Sequence, residues 1–266
     1  STLNILNDYT TGTIDAGTVT VLRGDAADLN TAYAANTAGT ISNLGNEAVT
    51  TTDTSLAAAT LNTLDGYTSG VVNAASITTL TGTIAAVNTA YAADTAGTID
   101  NLGNEAVTLS DTELTDASTL VTLNTKTTGT INADTLTTVS GALSVVKTIY
   151  DESDTTGDKI SGLGDQAITL TDTGSVAATV LSAIGAKTGG TVTCSGALTI
   201  TGTTAQITAA LVTTGSLVVA GSATLTFDDD PTGAQLAAIN PKTSGAITLN
   251  STSQNFTGTA TELAAA

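Results

Sequence analysis

The stretch LNTAYAANTAGTISNLGNEAVT, residues 29–50, returns 58 residues later as VNTAYAADTAGTIDNLGNEAVT, residues 87–108, with 19 of 22 positions identical. A chain that repeats itself this closely is a stacked array. Each unit is too small to bury a core alone and covers its apolar face with the next. Arrays of this kind generally do mechanical or surface work rather than chemistry at one pocket.

Outward from this block, a glycine follows each Thr-, Ser-, Ala- or Gly-rich step: Gly12, Gly39, Gly70, Gly97, Gly129, Gly157, Gly190, Gly215 and Gly245. The spacings alternate between short and long: 27, 31, 27, 32, 28, 33, 25 and 30 residues. The sequence unit is therefore a pair of coils. The structural unit is one coil of about 29 residues, and about nine fill the chain.

Each coil reads alike. After the glycine comes a short extended piece, such as Thr13-Ile14-Asp15-Ala16 or Thr130-Ile131-Asn132-Ala133. A turn rich in Gly, Asn, Asp or Ser follows. A second piece then alternates apolar residues with threonine, as in Val107-Thr108-Leu109 and Ile168-Thr169-Leu170, which is the period of a strand. The third piece is Ala-rich with helical spacing, for example Val176, Val180, Leu181 and Ile184. Asp25 and Asp172-Thr173 stand where a side chain can accept hydrogen bonds from the first free amides of the helix that follows. These helices are too short to be stable alone and must be held by stacking.

Repeated strand–turn–strand–helix coils predict an α/β solenoid. Like strands pair in parallel into two long sheets, with a ladder of helices on the third side. Residues 1–266 are read as one continuous solenoid rather than a string of separate α+β domains, because 29-residue units cannot bury a core. One aliphatic file is expected along it, formed by Ile14, Ile41, Val72, Ile99, Ile131, Ile160, Val192 and Leu217. Residues 1–10 match the interior of a repeat, and residues 258–266 stop partway through one. The chain is thus expected to be a fragment of a longer repeat protein. Its incomplete end coils, at Leu3 and Ala266, would invite head-to-tail self-association.

Composition supports thin layers over one thick core: 41% of residues are hydrophobic, 3% aromatic, and Trp, Met and His are absent. The net charge of −18 argues against nucleic acid and anionic membrane surfaces as partners. No apolar run approaches the roughly 18 residues needed to cross a bilayer. The lone Cys194 permits no internal disulfide and aligns with Ala16, Ala74 and Ala133, a small inward position.

Several residue files invite a functional reading. Thr20, Thr50, Thr78, Thr108, Thr137, Thr169, Thr199 and Thr226 fall at one place in eight coils. Facing outward, they could order water or bind ice or a glycan; the plainer reading is solvent-facing strand threonine. Asp151, Glu152, Asp154 and Asp158, and the run Asp228, Asp229 and Asp230, could supply oxygen ligands to Ca²⁺. Neither group has the spacing of a known calcium loop, so they are read as turns and helix caps, with no cofactor expected. Asn46-Glu47, Asn104-Glu105 and Asp165-Gln166 recur at one turn, which argues for turn chemistry. Tyr33, Tyr91 and Tyr150 share a helical position suited to packing, whereas Tyr9 and Tyr67 share one with Lys126, Lys187 and Lys242 and should be exposed at the tip. Without histidine there is no Ser-His or Cys-His pair, and no unique acidic pair stands out. The chain is read as non-enzymatic.

The strings GTISNLGNEAVT, VTLSDT, LNTLDGYTSGVVNAASITTLTGT and ITLTDTGSVAATVLSAIGAKTGGTVT resemble tandem repeats of giant extracellular or cell-surface proteins of marine cyanobacteria. The resemblance covers residues 3–266, with most drift from Val212 onward. It implies an extracellular, non-enzymatic role. Three expectations follow: a rigid spacer in a large surface protein, a binding or adhesive surface on a Thr-rich sheet face, and a self-assembling fibre subunit.

Overall fold

The computed structural model describes residues 2–153, 159–249, 257–259 and 261. The first coils carry α1 (Thr2–Tyr9), β1 (Ile14–Asp15), β2 (Val21–Gly24), α2 (Ala26–Ala38), β3 (Ile41–Ser42), β4 (Ala48–Thr51), β5 (Ser55–Ala57) and α3 (Ala58–Tyr67). The second repeat carries β6 (Val72–Asn73), β7 (Thr79–Gly82), α4 (Ile84–Ala96), β8 (Ile99–Asp100), β9 (Ala106–Leu109), β10 (Glu113–Leu114) and α5 (Ser118–Lys126). The third carries β11 (Ile131–Asn132), β12 (Thr138–Gly141), α6 (Leu143–Asp151), β13 (Ile160–Ser161), β14 (Ala167–Leu170), β15 (Ser175–Ala177) and α7 (Ala178–Gly185). Then come β16 (Val192–Cys194), β17 (Thr199–Gly202), α8 (Thr204–Leu211), β18 (Val218–Val219), β19 (Thr224–Phe227), α9 (Gly233–Ile239), a 3₁₀ turn at Asn240–Lys242 and β20 (Ile247–Leu249).

Strands and helices alternate in a repeated pattern, and every strand pair among the described residues is parallel. This is the pattern of an α/β solenoid-like fold. The described residues group into two compact units. One lies within Ser1–Asp111, Thr119–Thr135 and Gly157–Ser161, the other within Thr112–Ser118, Leu136–Thr156 and Gly162–Ala266. The first holds the sheets β1-β3, β2-β4-β6-β8 and β5-β7-β9-β11-β13. The second holds β10-β12-β14-β16-β18 and β15-β17-β19-β20.

The strand order corrects the single aliphatic file. Ile14 pairs with Ile41, but Val72 pairs with Val49 on one side and Ile99 on the other. Ile131 lies between Val107 and Ile160, and Val192 between Ile168 and Val218. Val218 therefore takes the place expected for Leu217. The cause is a third short strand, β5, β10 or β15, in every second coil. Each five-stranded sheet starts on such a strand, continues through the second strands of two coils and ends on the first strands of two more. Stacking thus steps one strand round the coil per two-coil repeat. The buried ladders are Leu56-Leu80-Val107-Ile131-Ile160 and Leu114-Val139-Ile168-Val192-Val218, all at most 8% exposed.

Neighbouring helices such as α2 and α3, or α3 and α4, pack on one another, through a device the sequence reading missed. Asn4, Asn30, Asn62 and Asn88 each donate Nδ2 to a backbone carbonyl of the next helix in the series, at Asp28, Thr60, Ala86 and Thr119, over 2.9–3.2 Å. Each bond is directional and sets the register of one helix on the next.

Six of the coil glycines fall into two kinds. Gly39 and Gly97 end α2 and α4 in the left-handed region, at φ 82° and 80°, where glycine alone escapes the Cβ penalty. At Gly70, Gly129, Gly190 and Gly245 the constraint is contact. A Cβ would lie 2.1–2.3 Å from the carbonyl oxygen of Glu47, Glu105, Gln166 or Ala223 in the preceding coil. Those same four oxygens accept hydrogen bonds from Thr68, Thr127, Thr188 and Thr243. Each threonine Oγ1 in turn accepts from the glycine N–H two residues on. This Thr-x-Gly clip ties backbone to backbone at alternate coils.

Candidate functional site

The most elaborate polar arrangement lies where each long coil begins. In the first repeat, Tyr33 of α2 reaches down to the turn 43–47, where its hydroxyl donates to Glu47 Oε2 at 3.0 Å. The same oxygen accepts from the N–H groups of Gly45 and Asn46, at 2.8 and 3.2 Å. Asn43 holds the left-handed corner of the turn at φ 65°. The second repeat copies this: Tyr91 donates to Glu105 Oε2 at 3.0 Å, Gly103 N–H donates to it at 2.8 Å, and Asn101 sits at φ 69°. In the third, Tyr150 donates to Gln166 Oε1 at 3.2 Å, Gly164 N–H does so at 2.7 Å, and Gly162 takes the corner at φ 83°. Glu47 and Glu105 have no exposed surface, and Gln166 is 3% exposed.

The tyrosines pack as expected, each at most 2% exposed. Burial pushes the phenols of Tyr33 and Tyr91 well above the ordinary tyrosine value. Burial pushes Tyr150 up to about 12, against the opposing hydrogen bond of Thr188 and with the negative charge of Asp165 adding to the rise. Tyr67 corrects the expectation of a tip residue: it is half-buried and stacks on Tyr33, with ring centroids 5.6 Å apart and planes 9° off parallel. Tyr9 is exposed, as expected.

Open depressions lie beside the first two turns. One of about 470 Å³ is lined by Gly17, Asn43, Leu44, Gly45 and Asn46, and one of about 410 Å³ by Ala75, Asn101, Leu102, Gly103 and Asn104. Neither lining includes an ionisable side chain. Asp15 borders the first, where the Asn43 amide and then the Gly17 N–H hold its carboxyl below the usual range.

Four carboxylates that recur at one place cap helices, though not the helices the sequence suggested. Asp25 stands at the N-cap of α2 without a side-chain capping bond. Asp53, one coil later, accepts from the Ala26 N–H instead, at 2.8 Å. Asp111 serves Ile84, Asp172 serves Leu143 and Asp229 serves Thr204 in the same way, at 2.6–2.8 Å. A carboxylate at a helix N-terminus answers the free amides and the positive end of the helix dipole. Here it also joins neighbouring coils.

The described calcium candidates, Asp151, Glu152, Asp228, Asp229 and Asp230, are not gathered into one cluster, and Asp154 and Asp158 lie outside the described residues. Asp151 pairs with Lys147 and Lys187, which hold its carboxyl below the usual range. Asp229 is a cap, and Asp228 and Asp230 are exposed. Among the described residues no group of three or more His, Cys, Asp or Glu is placed to share a metal ion.

The threonine file does not stack as one file. Thr50 lies between Arg23 and Asn73, Thr108 between Thr81 and Asn132, Thr169 between Ser140 and Thr193, and Thr226 between Thr201 and Thr248. Thr20, Thr78 and Thr137 fall just before β2, β7 and β12 rather than within them, and Thr199 pairs with Thr224. Cys194 is buried as expected, and burial, then the charge of Asp172, pushes its thiol up to about 11. Comparison with known protein families, curated proteins and solved structures returns no match for this chain. Among the described residues no helix is long and apolar enough to cross a membrane.

Proposed function

We propose that this chain is a non-enzymatic structural repeat region, a rigid spacer within a large cell-surface or secreted protein. One observation carries the reading: the polar groups that recur from repeat to repeat bond to the adjoining coil. Asp53, Asp111, Asp172 and Asp229 cap the helix of the coil before them. Thr68, Thr127, Thr188 and Thr243 each donate to a carbonyl of their own coil and accept from the N–H of the glycine that opens the next, tying the two coils. Groups engaged this way stiffen a stack and leave little recurring chemistry for a ligand. The net charge of −18 suits a soluble surface outside the cell, and the resemblance to cyanobacterial surface repeats points the same way.

In this reading the coils form an open stack, which grows in one direction only. A variant lengthened by one two-coil repeat should gain about 10 Å in maximum dimension by solution scattering, at the ~4.8 Å strand spacing, with its cross-section unchanged. A wider cross-section at constant length would overturn it. The adhesive reading loses the continuous threonine face it required, since Arg23, Asn73 and Asn132 interrupt the stacks. Head-to-tail association keeps one supporting observation: Ile5, Leu6 and Tyr9 of α1 are 58%, 51% and 86% exposed. Sedimentation across a hundredfold concentration range tests it, and a concentration-independent monomer would sink it.

A further inference from the structure

Asn46 and Asn104 are exceptions among the recurring polar groups. Both stand at the same place in the two near-identical blocks, both are exposed, and each lines one of the two open depressions. Their neighbours serve the stack: Asn43 donates to Asp15 at 2.8 Å and Asn101 to Asn73 at 3.3 Å. The side-chain amides of Asn46 and Asn104 make no hydrogen bond to any described residue.

The turns that carry them are held on several sides. Asn36 accepts from the Leu44 N–H at 3.0 Å and donates to the Leu44 carbonyl at 3.3 Å. Glu47 takes the Gly45 N–H, and Ser69 donates both its N–H and its hydroxyl to the Gly45 carbonyl. In the second turn Asp94 takes the Leu102 N–H and Glu105 the Gly103 N–H, while Thr128 donates twice to the Gly103 carbonyl. A partner that lands on such a turn has no loop to order, which removes a main cost of binding.

We propose that each depression binds a neutral glycan through the Asn46 or Asn104 amide. A primary amide offers two donors and an acceptor, the set that reads adjacent hydroxyl groups of a sugar. Leu44 and Leu102, half-buried in the same linings, add apolar surface for the sugar C–H groups. No ionisable side chain lines either depression, and Asp15 beside the first and Asp100 beside the second repel an acidic sugar. Peptide addition to a strand needs free backbone groups, and those of Leu44 and Gly45 are all bonded within the stack. In the third repeat Gly162 and Asp165 replace the two asparagines of the turn, so that turn lacks the binding amide. The inference goes beyond the spacer reading and does not depend on it.

Nuclear magnetic resonance of the full chain, titrated separately with cellotetraose, mannotetraose and maltotetraose, tests it. At least one of these should shift the Asn46 and Asn104 side-chain amides and the Leu44 and Leu102 N–H groups along one saturable curve. Tetragalacturonate, an acidic sugar chain, should bind about tenfold more weakly or less, through like-charge repulsion. Asn46→Ala should abolish the shifts of the first turn and spare those of the second, and Asn104→Ala should do the reverse. Neither should move the melting temperature, since no internal bond is lost. The proposal is overturned by no saturable shift with any of the three neutral sugars, or by shifts that persist in the double alanine variant. Equal shifts with a neutral tetrapeptide would overturn it too, making the depressions a peptide surface. So would a fall in melting temperature with either alanine, which would show that the amide serves the fold.

Discussion

The two kinds of coil junction make an instructive pair. At Gly39 and Gly97 a helix ends in a left-handed glycine with open space around its Cα. At Gly70 and Gly129 the chain presses against the carbonyl of the preceding coil and is clipped to it by Thr68 and Thr127. The sequence shows the same residue at both, at the same apparent step of the repeat. One junction needs glycine for a dihedral angle and the other for contact. Their alternation is why the repeat is two coils long.

The largest effect is expected where the clipped junction feeds the apolar ladder. Ile131→Asp would bury an unpaired charge between Val107 and Ile160, costing roughly 3–5 kcal/mol. Thr137→Asp, at an exposed position six residues later, should cost under about 1 kcal/mol. Equal losses in urea unfolding would show the ladder is misassigned.

The glycines themselves come next. Gly129→Ala puts a Cβ 2.2 Å from the Glu105 carbonyl oxygen and should cost about 3 kcal/mol, since backbone must move. Gly97→Ala meets no atom and should cost only the left-handed penalty of about 1–2 kcal/mol. Thermal melts of the two variants measure the gap, and the reverse order would erase the distinction between the junctions.

Capping gives a smaller contrast. Asp111→Ala removes the bond to Ile84 of the preceding coil and should cost about 1 kcal/mol. Asp25→Ala, at the helix's own N-cap but without a capping bond, should cost clearly less. Chemical denaturation of both decides whether caps act between coils or within them.

The last contrast is between neutral and alkaline pH and concerns Tyr150. Losing its bond to Gln166 through Tyr150→Phe should cost about 1 kcal/mol. The folded phenol is pushed up to about 12, whereas an unfolded tyrosine ionises near about 10. The stability linked to Tyr150 is thus complete below about pH 10 and lost as the pH rises toward 12. The Phe variant should therefore lose less stability across that window. Identical alkaline profiles would count against a buried, neutral phenol at this position.

Much of this architecture was open to a reading of the residues. Alternation marks Val107 and Ile168 as inward, and helical spacing marks Tyr33, Tyr91 and Tyr150 as packed, because both periods are local properties of a few residues. The role of Glu47 was half visible. Its recurrence with Glu105 at an Asn-Glu turn signalled structure, but nothing in the spelling shows that it is buried beneath a tyrosine 14 residues earlier. The Asn30, Asn62 and Asn88 ladder carried a signal too, a polar residue at one place in successive helices, and it went unread because asparagine is also common on helix surfaces.

By itself, then, the sequence determined the repeat, the two-coil period, the two main strands and the helix of each coil and most inward positions, all governed by spacing within about ten residues. It did not show the third short strand, and Val176, read as helical, lies in β15 instead. Tertiary structure alone decided which strand lies on which, and which aspartate caps which helix. Those partners sit 22 to 29 residues apart in the chain, as with Leu225 and Ile247 or Leu143 and Asp172. Their pairing depends on how far each coil turns before it closes. That closure is set by the third short strand of alternate coils and by Gly70, Gly129 and Gly190 meeting a carbonyl one coil back. It is a steric condition between distant segments, and no local period records it.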